Sequence, residues 1–151
     1  MDYEVIKIRT AVTKNELDSG LSFMEGGQDI PFSIDRLYCV YESEGNKQCG
    51  FDAREHGQYI LFCPYGEITV LVDNGQQREA IMLNDPSTGL ILGSNMWREI
   101  TWRQKNSVLC IAAHGHYDKE YLCSDYSAYM DFVKKRAGYQ SENRLWEEQD
   151  E

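Results

Sequence analysis

The stretch "CGFDAREHGQYILF", residues 49 to 62, sets three ionisable side chains at alternate positions, Asp52, Arg54 and His56. Read as a turn feeding a strand, it points all three to one side, because side chains on a strand alternate faces with period two. On the inner face of a sheet such a set can move a proton and hold an anion. The carboxylate or the imidazole would act as base, and the guanidinium would hold an anion or polarise a carbonyl. On an outer face the same residues make a solvated strand edge. The elements around them decide between the two.

Those elements are mostly strands. From residue 34 to residue 113 short β-type runs recur, "RLYCVYE", "QYILFCP", "EITVLVD", "EAIML", "GLILG", "REITW" and "SVLCIAA", at the spacing of an all-β sandwich or barrel. Turn residues separate them. Asn74-Gly75 is a strong hairpin signal between "EITVLVD" and "QREAIML", "NDPSTG" is a second turn cluster, and Gly66 marks a third bend. After residue 123 the period changes to about 3.6: Tyr126, Tyr129, Met130 and Val133 share one helical face. Ser124 is placed to cap this helix and Gly138 to end it, and Lys134, Lys135 and Arg136 in its last turn suit the helix dipole. The expected fold is all-β, an antiparallel sandwich or barrel of seven or more strands with one C-terminal helix. It forms a single domain over residues 1–138, followed by an acidic, mobile tail over 139–151.

Composition narrows the partners. At 151 residues the chain can bury one sizeable core. A net charge of -10 argues against nucleic acid or an anionic membrane surface, both of which reward clustered Lys and Arg. It leaves room for one small anion held by a few local arginines. The N-terminal "MDYEVIKIRT" is unlike a signal peptide, and no apolar run reaches membrane-spanning length, so a cytoplasmic protein is expected. Five cysteines with no C-x-x-C spacing fit reduced thiols better than disulfides or a zinc site.

Other constellations are weaker. "HGHYD" offers a His-x-His pair, His114 and His116, whose spacing can bind a metal when a third ligand joins. Lying at the end of the last strand, it reads better as a solvated strand end, and no metal is expected. Tyr38, Tyr41, Tyr59 and Trp97 are the aromatics placed to line a cavity, although most aromatics in a small barrel serve packing. No Walker motif or G-x-S-x-G elbow is present, so nucleotide hydrolysis and serine esterase chemistry have no support.

Four segments, in order and spacing, carry a resemblance over residues 20 to 133: "IPFSIDRLYCVYESEGNKQCGF", "GEITVLVDNG", "NDPSTGLILGSNMWREI" and "IAAHGHYDKEYLCSDY". Together they are similar to the cupin-fold sugar 3,4-ketoisomerases, the WxcM-like family, which act on dTDP-4-keto-6-deoxyglucose on the way to amino sugars of bacterial surface polysaccharides. The resemblance implies a cupin or jelly-roll barrel and a dTDP-sugar site inside it. It also implies a homodimer, with neither a metal nor another cofactor. With such a site, Arg36, Tyr38, Tyr59, Trp97 and Arg98 are the residues of this chain expected to bind substrate, Tyr59 and Arg98 standing where the family has other residue types. In the family a base removes the proton at C3 of the sugar, beside the C4 ketone, and an acid returns one at C4 through an enediol.

The scaffold positions match, including Pro31, Phe32, Gly50, Phe51, Gly66, Gly75, Pro86, Gly89 and Leu90. Polar site positions depart. The two histidines of the family's H-A-H motif are Asp52 and Arg54 here, the Lys that follows is Glu55, and the His of W-H-E-M is Arg98. Two readings follow. In the first, the chain is a sugar-nucleotide enzyme with a changed acid/base set: Asp52 as base, Arg54 and Arg98 on the keto oxygen or pyrophosphate, and His56 as proton carrier. In the second, the barrel is a catalytically silent binding or regulatory cupin for another small anionic ligand. A structural dimer without a ligand would show Arg54 and Arg98 facing solvent.

Overall fold

The computed structural model describes residues 1–13, 19–45, 47–53, 57–117 and 122–147. Two five-stranded antiparallel sheets pack face to face. The first runs β1 (Tyr3–Lys7), β9 (Thr88–Leu92), β6 (Tyr59–Tyr65), β11 (Val108–Ala113), β4 (Arg36–Val40). The second runs β12 (Leu122–Cys123), β5 (Gln48–Asp52), β10 (Trp97–Trp102), β7 (Ile68–Asp73), β8 (Arg78–Leu83). A separate two-stranded ribbon joins β2 (Arg9–Thr13) to β3 (Ser19–Phe23). The class is all-β with one helix, as expected, but the two sheets do not close into one hydrogen-bonded barrel. Among the described residues no helix is long and apolar enough to cross a membrane.

All seven strands read from the sequence are present, because each alternates or runs apolar between turn residues. β7 shows the reason: Ile68, Val70 and Val72 are fully buried, while Thr69 and Leu71 between them are only partly so. With Tyr59, Leu61, Leu90 and Leu92 from the facing sheet they fill the space between the layers. The hairpin at Asn74-Gly75 forms with Gly75 at a φ of 91°, and Asn74 Oδ1 accepts the N–H groups of Gln76 and Gln77 at 2.9 and 2.8 Å. Gly66 bends the chain between β6 and β7 at a φ of 91°, and a Cβ there would sit 2.2 Å from Ser107 Oγ.

The run "CGFDAREHGQYILF" is not one strand. β5 ends at Asp52 and β6 begins at Tyr59 in the other sheet, so the chain changes layers between them. The strands β1, β2, β3 and β12 are additions to the sequence reading, and β5 is a separate strand where one run was expected. β1 is an edge strand whose Glu4, Val5 and Lys7 are exposed, so it lacks a buried alternation to detect.

The helix α1 (Tyr126–Glu147) covers the outer face of the second sheet. Its cap is Asp125, whose Oδ1 accepts the Ser127 N–H at 2.9 Å, in place of the expected Ser124. The helix also runs through Gly138, which keeps a φ outside the left-handed region. A helical glycine costs only about 1 kcal/mol relative to alanine, and the good helix formers that follow, Arg144, Leu145 and Glu147 among them, offset it. The stretch expected to be a tail from residue 139 is therefore helical as far as Glu147.

Candidate functional site: the charged inner face

Pairing register fixes which side chains look inward. Arg98 on β10 lies opposite Val72 on one side and Gly50 on the other. Val72 is fully buried in the inter-sheet core, so Arg98 faces that interior. Asp52, two residues beyond Gly50, shares this face and is 1% exposed. On the facing sheet Ala113 pairs with both Arg36 and Tyr59, which puts Arg36, Ala113 and Tyr59 side by side on the inner face. Tyr38 follows Arg36 by two residues on the same face.

These groups meet. The guanidinium carbons of Arg98 and Arg36 lie 4.9 and 6.0 Å from the Tyr59 ring centroid, and Arg36 lies 5.6 Å from the Tyr38 ring. Burial, the largest influence, lowers the pKa of Arg98; Asp52 and Tyr38 hold it up, and Arg36 lowers it further. An arginine still keeps its proton at neutral pH. The site therefore holds two cations near one carboxylate inside the protein.

Arg36 carries the sharpest signal. Its Nη1 donates to the Tyr38 hydroxyl at 3.1 Å, but its Nε and Nη2 are buried with no hydrogen-bond partner among the described residues. Buried donors left unmade cost about 1–3 kcal/mol each, more when charged, so native proteins rarely keep them without a reason. A guanidinium with an open fork is complementary to a phosphate, a carboxylate or a carbonyl oxygen.

Five of the eight site positions expected from the sequence thus lie on the two inner faces that look at each other: Asp52 and Arg98 on one sheet, Arg36, Tyr38 and Tyr59 on the other. Of the two arginines whose exposure to solvent would favour a structural dimer without a ligand, Arg98 faces the interior. Arg54, Glu55 and His56 lie outside the described residues. Trp97 is not part of this face. It neighbours Arg98 on β10 and so points the other way, where it is 1% exposed and packs on Phe51, Tyr126 and Tyr129 beneath α1. Tyr41, beyond the end of β4, is 65% exposed and lines nothing inside.

The His-x-His pair also falls elsewhere. His114 Nδ1 lies 3.3 Å from an Asp35 carboxylate oxygen and 3.1 Å from Ser33 Oγ, which ties the end of β11 to the segment before β4. Among the described residues no three His, Cys, Asp or Glu side chains group as a metal site. The five cysteines are free thiols.

Sequence reasoning passed over Asn95. Its backbone N–H donates to the Asp52 carbonyl at 2.8 Å, and its own carbonyl accepts the Tyr129 hydroxyl at 3.0 Å. The available signal was an asparagine in the short turn "GSN" before β10, a residue type that tolerates a left-handed backbone.

Comparison with known proteins shows the family and the fold. A TDP-4-oxo-6-deoxy-alpha-D-glucose-3,4-oxoisomerase of Aneurinibacillus thermoaerophilus is 27% identical over 135 residues, 89% of this chain and 95% of that protein. The crystal structure of QdtA, a sugar 3,4-ketoisomerase from Thermoanaerobacterium thermosaccharolyticum in complex with TDP, superimposes with a TM-score of 0.79 at 29% identity, covering 89% and 96% of the two chains. A 3,4-ketoisomerase from Helicobacter canadensis shares the fold at a TM-score of 0.81 and 24% identity, covering 89% and 98%. The family described as FdtA: WxcM-like, C-terminal, matches residues 1–134, and this chain belongs to it.

Proposed function

We propose that this protein binds a TDP-linked 4-keto-6-deoxy sugar between its two sheets and moves the carbonyl of that sugar between C4 and C3. The open fork of Arg36 carries the reading, because it asks for an anionic or carbonyl oxygen that no described residue supplies. Support for the class of ligand comes from the relatives, one solved with TDP and one form of it with TDP-4-keto-6-deoxyglucose. Arg36 and Arg98 hold the pyrophosphate or the keto oxygen, with Tyr38 and Tyr59 against the ligand.

Asp52 serves as base. It takes the C3 proton while negative charge develops on the C4 oxygen, where Arg98 or Arg54 stabilises it. Protonation of the C4 oxygen gives the enediol; loss of the O3 proton and protonation at C4 then leave the 3-ketone and a 4-hydroxyl, and His56 is the residue assigned to carry a proton between these oxygens and C4. The same arrangement without proton transfer would make a silent binding protein, a reading favoured by Asp52 and Arg54 standing where the family pattern has histidines.

The protein works as a homodimer in the cytoplasm, supplying sugars for surface polysaccharide. The β2–β3 ribbon supports the dimer: it joins neither main sheet and exposes Leu21 and Phe23, and a lone two-stranded ribbon is marginal in water.

Proton NMR of TDP-4-keto-6-deoxyglucose in D₂O with the purified protein tests the chemistry. Loss of the C3 proton signal together with a 3-keto product is the expected result. Selective line broadening without exchange would leave a binder, and an unchanged spectrum would rule out this sugar as ligand.

A further inference from the structure

Asp52 ends its strand, and a base at a strand end needs something to fix it. Among the described residues β12 pairs with β5 through Leu122 opposite Asp52 and Cys123 opposite Phe51, a very short edge ladder. A further hold comes from the other side. The Asn95 N–H meets the Asp52 carbonyl at 2.8 Å. The Asn95 carbonyl and the Asp73 carbonyl share the Tyr129 hydroxyl, at 3.0 and 2.9 Å. Tyr129 is completely buried, clamped by Phe51 at 4.8 Å and Trp97 at 5.7 Å between ring centroids.

We infer that Asn95 and Tyr129 are positioning residues for Asp52, a relay by which the docked helix α1 fixes the candidate base on the opposite face of the sheet. This rests on the role proposed for Asp52. The geometry says what the relay needs from each member. Asn95 stands at a φ of 66°, in the left-handed region, where asparagine and glycine are tolerated and alanine or valine is strained. Among the described residues its side chain holds nothing firmly: Oδ1 is buried without a partner, and Nδ2 reaches Ser94 Oγ at 3.5 Å. The position therefore uses asparagine for its backbone, so glycine should serve and alanine should not. From Tyr129 the relay needs the hydroxyl, since phenylalanine would keep the ring packing and release the Asn95 carbonyl.

A displacement of a reacting group by about 1 Å can cost up to roughly 10²-fold in rate. The relay accordingly predicts that Asn95→Ala and Tyr129→Phe lower kcat by about 10- to 100-fold with KM changed less than about threefold, and that Asn95→Gly stays within about threefold of the parent. A merely structural role would not produce this split between glycine and alanine in kcat at constant KM.

A second readout does not depend on turnover. Amide hydrogen exchange by NMR should show the Asn95 N–H speeding up at least about tenfold in Tyr129→Phe, while the amides of the β7–β10 ladder keep their protection. Exchange at Asn95 unchanged in Tyr129→Phe would overturn the relay. So would Asn95→Gly as impaired as Asn95→Ala, or both variants as active as the parent. An inactive parent protein would instead sink the function proposed for Asp52, and the exchange data would still decide whether the relay holds the Asp52 strand end.

Discussion

The two faces of the second sheet differ although they are built from the same strands. Phe51 and Trp97 look outward, while Asp52 and Arg98, their next neighbours in the chain, look inward. The outer face is finished by the protein itself. Phe51, Trp97 and Tyr129 pack as one aromatic cluster, and the buried Asp73 carboxylate there accepts from Arg78 Nε at 2.8 Å, Gly75 N at 2.6 Å and the Tyr126 hydroxyl at 2.7 Å. The inner face gathers charge and leaves two Arg36 donor nitrogens without a partner among the described residues. The Asp73 carboxylate is completed by its own chain, whereas the Arg36 fork is the opening assigned above to a ligand oxygen.

Substitutions on the two faces should therefore fail in different ways. The largest effect is expected at Asp52: Asp52→Asn should lower turnover of the keto sugar by about 10²–10⁴-fold, the range of general base catalysis, with binding by calorimetry largely kept. Intact turnover would remove Asp52 from the chemistry. On the outer face, Trp97→Ala should destabilise by about 3–5 kcal/mol and lower Tm by at least about 6 °C, while ligand affinity of the folded protein changes little. Affinity that collapses ahead of stability would erase the contrast between the faces.

A pH titration separates them again. Burial raises the Tyr129 phenol to about 12, against about 10 in an unfolded chain. Below pH 10 both states keep the proton and the stability is whole. Between about 10 and 12 only the unfolded chain releases it, so up to roughly 3 kcal/mol should be lost as pH rises, and urea midpoints in that window should show a slope that Tyr129→Phe flattens. The smallest effect has opposite signs in its two readouts. Arg36→Met should weaken ligand binding by about 1.5–3 kcal/mol, the worth of hydrogen bonds to a charged group, yet leave the urea midpoint of the free protein unchanged or raised. A lowered midpoint would mean that Arg36 belongs to the scaffold.

How much of this could be read from the sequence follows from range. The central strands were legible because alternation and turn residues are local, and R-x-Y spacing alone puts Arg36 and Tyr38 on one face. Trp97 was misplaced against a rule already in hand, since a residue adjacent to Arg98 on a strand cannot share its face. The contact from Asn95 to Asp52 and that from Tyr129 to Asn95 span 43 and 34 positions; no local pattern encodes such pairings. The ribbon strands were missed because exposed strands carry little apolar periodicity.

That ribbon bears on how the protein should be handled. If Leu21 and Phe23 are covered by a second copy, the folded state is held partly by mass action, and its melting temperature becomes a property of the sample as well as of the chain. Dilution would then soften the protein, and a thermal shift caused by a ligand would have meaning only at a stated protein concentration.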